Sequence, residues 1–385
     1  MRKISALNYY DWTSMCELHR NGSKGLKSSA RDGKVKVKEI AKNEVQDMST
    51  IYDIARETGF SPSTVARALS GRGYCGETAR EVILEAAKRL QYVPVQAAKV
   101  LKNKQTKKVM FCIPDIYNPY YFSMIEGANR VLEKHGYYMV LVHSEHNKSK
   151  ELGFVEALKE QFVDGLIMGS FDFYPGLIQA IRGASVPVVL TNFYESGDGK
   201  DNFDCVYVDH TKAIYIATAE MIERGHRNIV FMGGKNTEQT GIERLRGYRA
   251  AMEDRGLKYD ERYVISSDFT RGGGRRDFET FMKRKLPFTA VVASNDLMGI
   301  GCMNACQKLG ISIPQDVSIV TLDNTDYCAC TFPRLSSVNM MQYQIGYNSA
   351  ELLMERIEQK RDYKKVVMLE PTLVERNSVA EVKKV

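Results

Sequence analysis

At 385 residues with 44% apolar side chains, the chain is long enough for two or three domains with real cores. Its formal charge of +7 is modest, and its eight cysteines, with no CxxC pair, argue against a disulfide framework and for a reduced, cytoplasmic protein. No apolar run is long enough for a bilayer and no signal-peptide core appears, so neither a membrane span nor export is expected.

Residues 1–47 are basic and weakly patterned. Gly22, Ser23, Gly25, Ser28, Ser29 and Gly33 interrupt any helix there, and the segment holds the only tryptophan, Trp12. It is expected to be either an untranslated upstream extension, with Met48 as the initiator, or a disordered basic arm. Intact mass of the native protein distinguishes the two.

The head follows, over 48–93. Thr50 is placed to cap a first helix, with Asp53 reaching back to the amide of the cap; Ile51, Ile54 and Ala55 share its inner face, and Gly59 ends it. Ser61 then caps a second helix with Pro62 at its first position, and Val65, Ala68 and Leu69 face inward. That leaves Pro62, Ser63 and Arg67 outward. A third helix over 77–90 is expected to close the core with Val82, Ile83, Ala86, Ala87 and Leu90. Two helices across a short Gly-containing turn form a helix-turn-helix, in which the second helix enters the major groove. Arg67 is the natural reader of a guanine edge, because its planar fork gives two hydrogen bonds. The plainer alternative is a small helical hairpin with a solvated charged face.

Arg56, Arg67, Arg72, Arg80, Lys88, Arg89, Lys99, Lys102, Lys104, Lys107 and Lys108 concentrate positive charge in the head and the segment after it, which suits phosphate contacts. From Met48 to Leu101 the chain resembles the LacI/GalR family of bacterial transcription regulators. The residues that carry this are Thr50 through Ala55, Gly59, Ser61, Thr64, Val65, Arg67 and Leu69, followed by Tyr92-Val93-Pro94. The resemblance implies operator contacts from Thr50, Tyr52, Ser61, Pro62, Ser63, Thr64, Arg67 and Ser70. It also implies a hinge over 94–107 that is helical on DNA, with Leu101 wedged in the minor groove beside Ala98 and Lys102. An apolar wedge costs unstacking energy but bends the duplex onto more protein.

After Lys108, short β-rich runs (109–113, 138–142, 165–168, 187–190) alternate with amphipathic stretches (121–135, 151–161). The pattern pauses near 206–209 and restarts with runs at 229–232, 290–293 and 317–320 between helices at 212–224, 242–255, 274–283 and 297–309. Two successive βα sets predict two doubly wound parallel sheets with a cleft between them. The fold class is therefore a small all-α helix-turn-helix domain plus an α/β body of two such subdomains.

Here too the chain is similar to the family, in an effector domain like those of periplasmic sugar-binding proteins. The matching segments include 224–229, 244–248, 294–296, 313–318, 322–324 and 373–378. The resemblance implies an effector-binding and dimerisation domain over 108–385. Its first subdomain is expected at 108–207 and 339–365, and its second at 208–338 and 366–380. Ligands in such sheets sit at the carboxyl ends of strands. Asn192, Asn295 and Asp323 end strands and Arg244 is expected to open a helix; with Tyr120, Tyr121, Ser170 and Phe269 they form the implied effector site. For any one of them an end-of-strand cap or an interdomain ion pair is the plainer reading.

Some positions depart from the family. Asn192 stands where Asp is common, and Met340-Met341 where Gln-Pro is usual, which predicts a less acidic, more apolar pocket. Ala66 and Gly76 replace a usual Ser in the second helix and at the cap of the third. Other chemistry is weakly supported. Gly272-Gly273-Gly274 lacks the context of a P-loop. Cys302, Cys306, Cys328 and Cys330 have no usual zinc spacing, and His226 reads as a structural loop histidine. No triad or paired carboxylates appear, so neither an enzyme nor a cofactor is expected.

The function expected is a homodimeric, sequence-specific repressor of a double-stranded, pseudopalindromic operator, controlled by a small polar effector such as a sugar. With no leucine heptad at its end, a dimer is expected rather than a coiled-coil tetramer. The alternatives are a solute-binding protein of a transport system and a regulator that answers a protein corepressor.

Overall fold

The structure is a computed structural model that describes residues 49–71, 73–92 and 105–382. The expected arm over 1–47 and the hinge positions Ala98, Leu101 and Lys102 lie outside the described residues. The chain divides into two units, a helical head and a larger α/β body.

In the head, helix α1 (Ile51–Thr58) starts at the expected cap. Asp53 N donates to Thr50 Oγ1 at 3.4 Å and Thr50 N to Asp53 Oδ2 at 2.9 Å, so two amides at the helix start are satisfied. Gly59 closes the helix at φ +73°, a left-handed conformation that costs a residue without Cβ nothing. Ser61 caps α2 (Pro62–Ser70) by accepting from Thr64 N at 3.2 Å. Helix α3 (Glu77–Arg89) starts from Gly76 with no side-chain cap. Ile54, Val65, Ala68, Ile83, Ala86 and Ala87 form the shared core. Val82 does not join it and is 44% exposed; it sits about 100° around the helix from Ile83, off the buried stripe.

The body has two lobes. The first runs through β1 (Lys108–Ile113), α4 (Tyr120–Lys134), β2 (Tyr138–His143), α5 (Lys148–Ala157), β3 (Gly165–Met168), α6 (Pro175–Arg182), β4 (Val188–Leu190) and β5 (Asp204–Val208). The second holds α7 (His210–Glu223), β6 (Ile229–Gly233), α8 (Gln239–Asp254), β7 (Val264–Ser266), α9 (Arg271–Met282), β8 (Ala290–Ala293), α10 (Asp296–Leu309), β9 (Ser318–Asp323) and β10 (Ser336–Asn339). The chain then returns to the first lobe as α11 (Gln342–Glu358) and β11 (Val366–Leu369) and ends in the second as β12 (Thr372–Val374). The sheet orders are β11-β5-β4-β3-β1-β2 and β12-β10-β9-β8-β6-β7. Every pairing is parallel except that of β12 with β10.

The inner strands of each sheet are buried on both faces, and the period of two shows how. Val109, Phe111 and Ile113 of β1 point into one core with α4, while Met110 and Cys112 point into another with α5 and α6. In β6, Ile229 and Phe231 share the first of those cores, and Val230 and Met232 face α9 and α10. Continuous apolar runs in the sequence are what such strands require.

One expected boundary is corrected. Residues 366–369 belong to the first sheet, not the second: β11 pairs with β5, Val366 opposite Cys205. Lys365 N donates to Asp204 Oδ1 at 2.7 Å and seats the strand there, so the crossing falls between Leu369 and Thr372.

Glycines set the helix spacing. A Cβ on Gly346 of α11 would stand 1.9 Å from Met124 O of α4, and one on Gly127 of α4 would stand 2.1 Å from Tyr343 O of α11. Gly346→Ala should force these helices apart and cost about 1–3 kcal/mol or more. A lower urea midpoint for the body at unchanged slope is the expected result. Gly153 of α5 has open space around it, so Gly153→Ala should instead stabilise by roughly 0.5–1 kcal/mol. The Gly272–Gly274 run is likewise a packing device: it lies inside α9, where a Cβ on Gly274 would meet the Met298 backbone of α10 at 2.6 Å.

Candidate functional site

The head offers one polar surface. Ser63 and Arg67 are exposed on α2, with Pro62 and Thr64 half-buried beside them, and Tyr52 is 64% exposed on α1. Ser61 Oγ lies 2.9 Å from Thr64 Oγ1 and 3.3 Å from Ser63 Oγ, which ties the start of α2 together. Arg67 Nε donates to Ser63 O at 3.3 Å, laying the guanidinium along the helix toward its N-terminus. Ser70 Oγ donates to Arg67 O at 3.3 Å and is exposed at the far end. Behind this surface Arg89 Nε bonds Glu57 Oε1 at 2.8 Å, holding α3 to α1. Tyr74, 90% exposed in the turn after α2, was not anticipated. A bulky aromatic in a Gly-flanked turn was the available signal.

In the body, the carboxyl ends of both sheets face one cavity between the lobes. All eight residues expected at the effector site line it: Tyr120, Tyr121, Ser170, Asn192, Arg244, Phe269, Asn295 and Asp323. Asn118, Phe171, Thr191 and His210 join them unanticipated. Phe171 follows β3 and His210 follows β5, so the rule that placed the others at strand ends also points to these two.

The wall is built from strand-to-helix corners. Asn295 sits between β8 and α10, where its Oδ1 accepts from Met298 N at 2.9 Å and its Nδ2 donates to Phe269 O at 2.9 Å. Its cap role is therefore real, and it both lines the cavity and holds Phe269 in place there. Phe269 has φ +62° and its ring lies over Gly234, where any Cβ would fall 2.2 Å from the ring. Asn192 Nδ2 donates to Ser170 O at 2.6 Å, and Ser170 Oγ donates to the buried Glu151 Oε1 at 3.0 Å. Met340 packs in the lobe core and, like Met341, does not line the cavity, so the exchanged pair does not make the wall more apolar.

Arg244 belongs to the second turn of α8, which begins earlier than expected, at Gln239. The first turn escaped the apolar pattern because its polar residues grip the other lobe: Thr240 Oγ1 donates to Phe171 O at 3.1 Å and Gln239 Nε2 to Phe193 O at 3.0 Å. Arg244 itself is 4% exposed. Its Nη1 donates to Ser294 O at 2.8 Å, and its guanidinium stands 5.3 Å from the Phe269 ring centre. Burial lowers its pKa, opposed by Asp323 and the two tyrosines. Asp323 is 3% exposed at φ +107°. Burial, and then the Asp296 charge, hold its carboxyl well above the ordinary range against the pull of Arg244. Burial also raises the Tyr121 and Tyr120 hydroxyls.

An aromatic stack spans the lobes: His146 on Phe171 and Phe171 on Phe269, each with ring centres 5.0 Å apart. The space between these walls is about 420 Å³, part of it open to solvent.

The remaining candidates are structural. His226 bridges Thr289 Oγ1 at 2.8 Å and Ala380 O at 3.1 Å, as its loop reading implied. Cys302 lies 3.7 Å from Met232 Sδ, and Cys306 and Cys328 are also buried. Among the described residues no group of three or more His, Cys, Asp or Glu is placed to hold a metal, and no helix is long and apolar enough to cross a membrane.

Residues 50–95 match the family model of bacterial regulatory proteins, lacI family, and residues 218–379 match a periplasmic binding protein-like domain. The chain is 30% identical over 336 residues to the HTH-type transcriptional repressor PurR of Proteus mirabilis, covering 87% of this chain and 98% of that one. It is 30% identical over 321 residues to catabolite control protein A of Priestia megaterium, covering 83% and 96%. A solved complex of the transcriptional regulator CelR with cellobiose matches at TM-score 0.66 and 28% identity, covering 86% of this chain and 99% of that one. The lac repressor dimer bound to operator and the anti-inducer ONPF matches at TM-score 0.75 and 21% identity over 87% and 100%, a likeness of fold.

Proposed function

Because this chain belongs to the LacI family of bacterial transcription regulators and is not an enzyme, we propose that it represses transcription as a homodimer. It reads one half-site of a pseudopalindrome with each α2, through Arg67, Ser63 and Pro62, supported by Thr50, Tyr52, Ser61, Thr64 and Ser70. A small polar effector, a sugar or sugar derivative, binds in the interlobe cavity. Binding there changes the angle between lobes and so the affinity for operator.

The observation that carries this reading is the convergence of Arg244, Asp323, Asn192 and four aromatic rings from both lobes on one cavity. Directional polar groups against ring faces are what a hydroxylated ring needs. A solved relative, the transcriptional regulator CelR, is in complex with cellobiose, a hydroxylated ring compound of the proposed class. The test is operator selection from random DNA, then gel shifts with and without a panel of sugars. Arg67→Ala should relax preference at one base pair by about 1–3 kcal/mol while leaving the salt slope nearly unchanged. Failure to select any sequence at low salt would defeat the proposal.

A further inference from the structure

His210 is the cavity residue whose chemistry is most constrained and least accounted for. It is 6% exposed, and its Nδ1 stands 3.5 Å from Arg244 Nη2. A guanidinium has only donors, so Nδ1 facing it must be the lone-pair nitrogen and Nε2 must carry the proton. That Nε2–H has no partner among the described residues, and neither has the buried Nε–H of Arg244. An unpaired buried donor is costly, so a ligand that supplies the acceptor is favoured over one that does not. Burial, and then the Arg244 charge, keep His210 neutral by lowering its pKa well below the usual value, so the donor is fixed.

Resting on the effector reading above, we propose that His210 and Arg244 form a seat for an acceptor-only group of the effector, a carboxylate, so that the protein prefers a sugar acid to the matching neutral sugar. A carboxylate brings two oxygens that need hydrogens and carries none of its own. A hydroxyl would bring a proton and need an acceptor besides, a role that Asp323 and Asn192 fill for the rest of the ring. His210 is in this sense a specificity-determining residue, and Asn118, Tyr120 and Tyr121 line the same cavity.

The experiment measures binding by thermal shift and calorimetry on the full chain. The probes are three pairs: D-glucose and D-glucuronate, D-galactose and D-galacturonate, D-ribose and D-ribonate. In at least one pair the acid should bind tenfold or more tighter than its neutral partner. His210→Phe should remove that preference, and His210→Gln, which can still present an N–H donor, should retain most of it; rescue by Gln separates a ligand role from a structural one. A neutral sugar binding tighter than its acid, or an unchanged preference in His210→Phe, overturns the seat and leaves the effector reading standing. Binding by none of the six counts against the effector reading and the seat together. A nitrogen NMR spectrum that places the His210 proton on Nδ1 overturns the seat whatever the probes do.

Discussion

Replacing Asp204 with alanine should lower the stability of the body by about 3–5 kcal/mol, because it breaks a buried charge cluster by removing its central member. Asp204 opens β5 and is fully buried. Its Oδ1 accepts from Arg356 Nη2 at 2.9 Å, Arg361 Nη1 at 3.1 Å and Lys365 N at 2.7 Å; its Oδ2 accepts from Arg356 Nε at 2.9 Å and Arg361 Nη2 at 2.5 Å. The two arginine side chains are themselves 7% and 5% exposed, with Glu355 on the second at 2.9 Å. Alanine would leave both guanidiniums buried and short of an acceptor. The cluster joins the end of α11 and the start of β11 to the sheet, so its loss should also free the first lobe's edge strand.

The pH dependence of that loss follows from the sign of the shift. Burial alone would raise the pKa of Asp204, but the bonds from Arg356, Arg361 and the Lys365 amide outweigh it and hold the carboxyl below its ordinary value of 3.8. Its contribution is therefore present above the unfolded-state value and fades as pH falls through the lower folded-state value. The gap between wild type and Asp204→Ala in urea unfolding should be full at pH 7 and begin to narrow as pH falls below about 4. A constant gap across that range, or a loss under about 1 kcal/mol at neutral pH, would show that the cluster is worth no more than an exposed pair.

This cluster also marks where sequence reading stops. The head was legible almost to the residue, because a capping box, a Ser-Pro helix start and glycine stops act within four positions of one another. The βα alternation was legible for the same reason: a strand buried on both faces advertises itself as an apolar run. The strand Asp204–Val208 did not, since it starts with an aspartate whose partners lie 152 and 157 residues further on. No local pattern couples those positions, and so the sequence alone assigns the return strand at 366–369 to the wrong lobe. The start of α8 was missed on similar grounds, because Gln239 and Thr240 are satisfied by carbonyls of the other lobe. All eight expected effector residues reached one cavity, but His210 and Phe171 did not stand out until the fold brought them beside Arg244 and Phe269.

Asp323→Asn separates stability from effector response. Under the proposed effector reading, a buried carboxyl near the Asp296 charge, at a backbone φ of +107°, is held for a ligand at the fold's expense. Among the described residues the positive charge that opposes the rise in its pKa is Arg244, which is already bonded to Ser294 O and stands over the Phe269 ring. Asparagine has nearly the same shape and tolerates positive φ as well as aspartate does. The folded-state pKa of Asp323 lies well above the unfolded-state value, so the wild type loses stability as pH rises from about 4 toward that folded-state value. Asparagine has no such loss. The variant should therefore match wild type in acid and exceed it at neutral pH by roughly 0.5–2 kcal/mol, with Tyr120, Tyr121 and Arg244 unchanged around it. Its affinity for whichever sugar or sugar acid shifts the wild-type melting temperature should fall by about 100-fold, the scale of a lost hydrogen bond to a charged group. A variant that melts lower than wild type at neutral pH would make Asp323 a structural tie to Arg244. One that melts higher but binds equally well would remove Asp323 from the ligand's contacts.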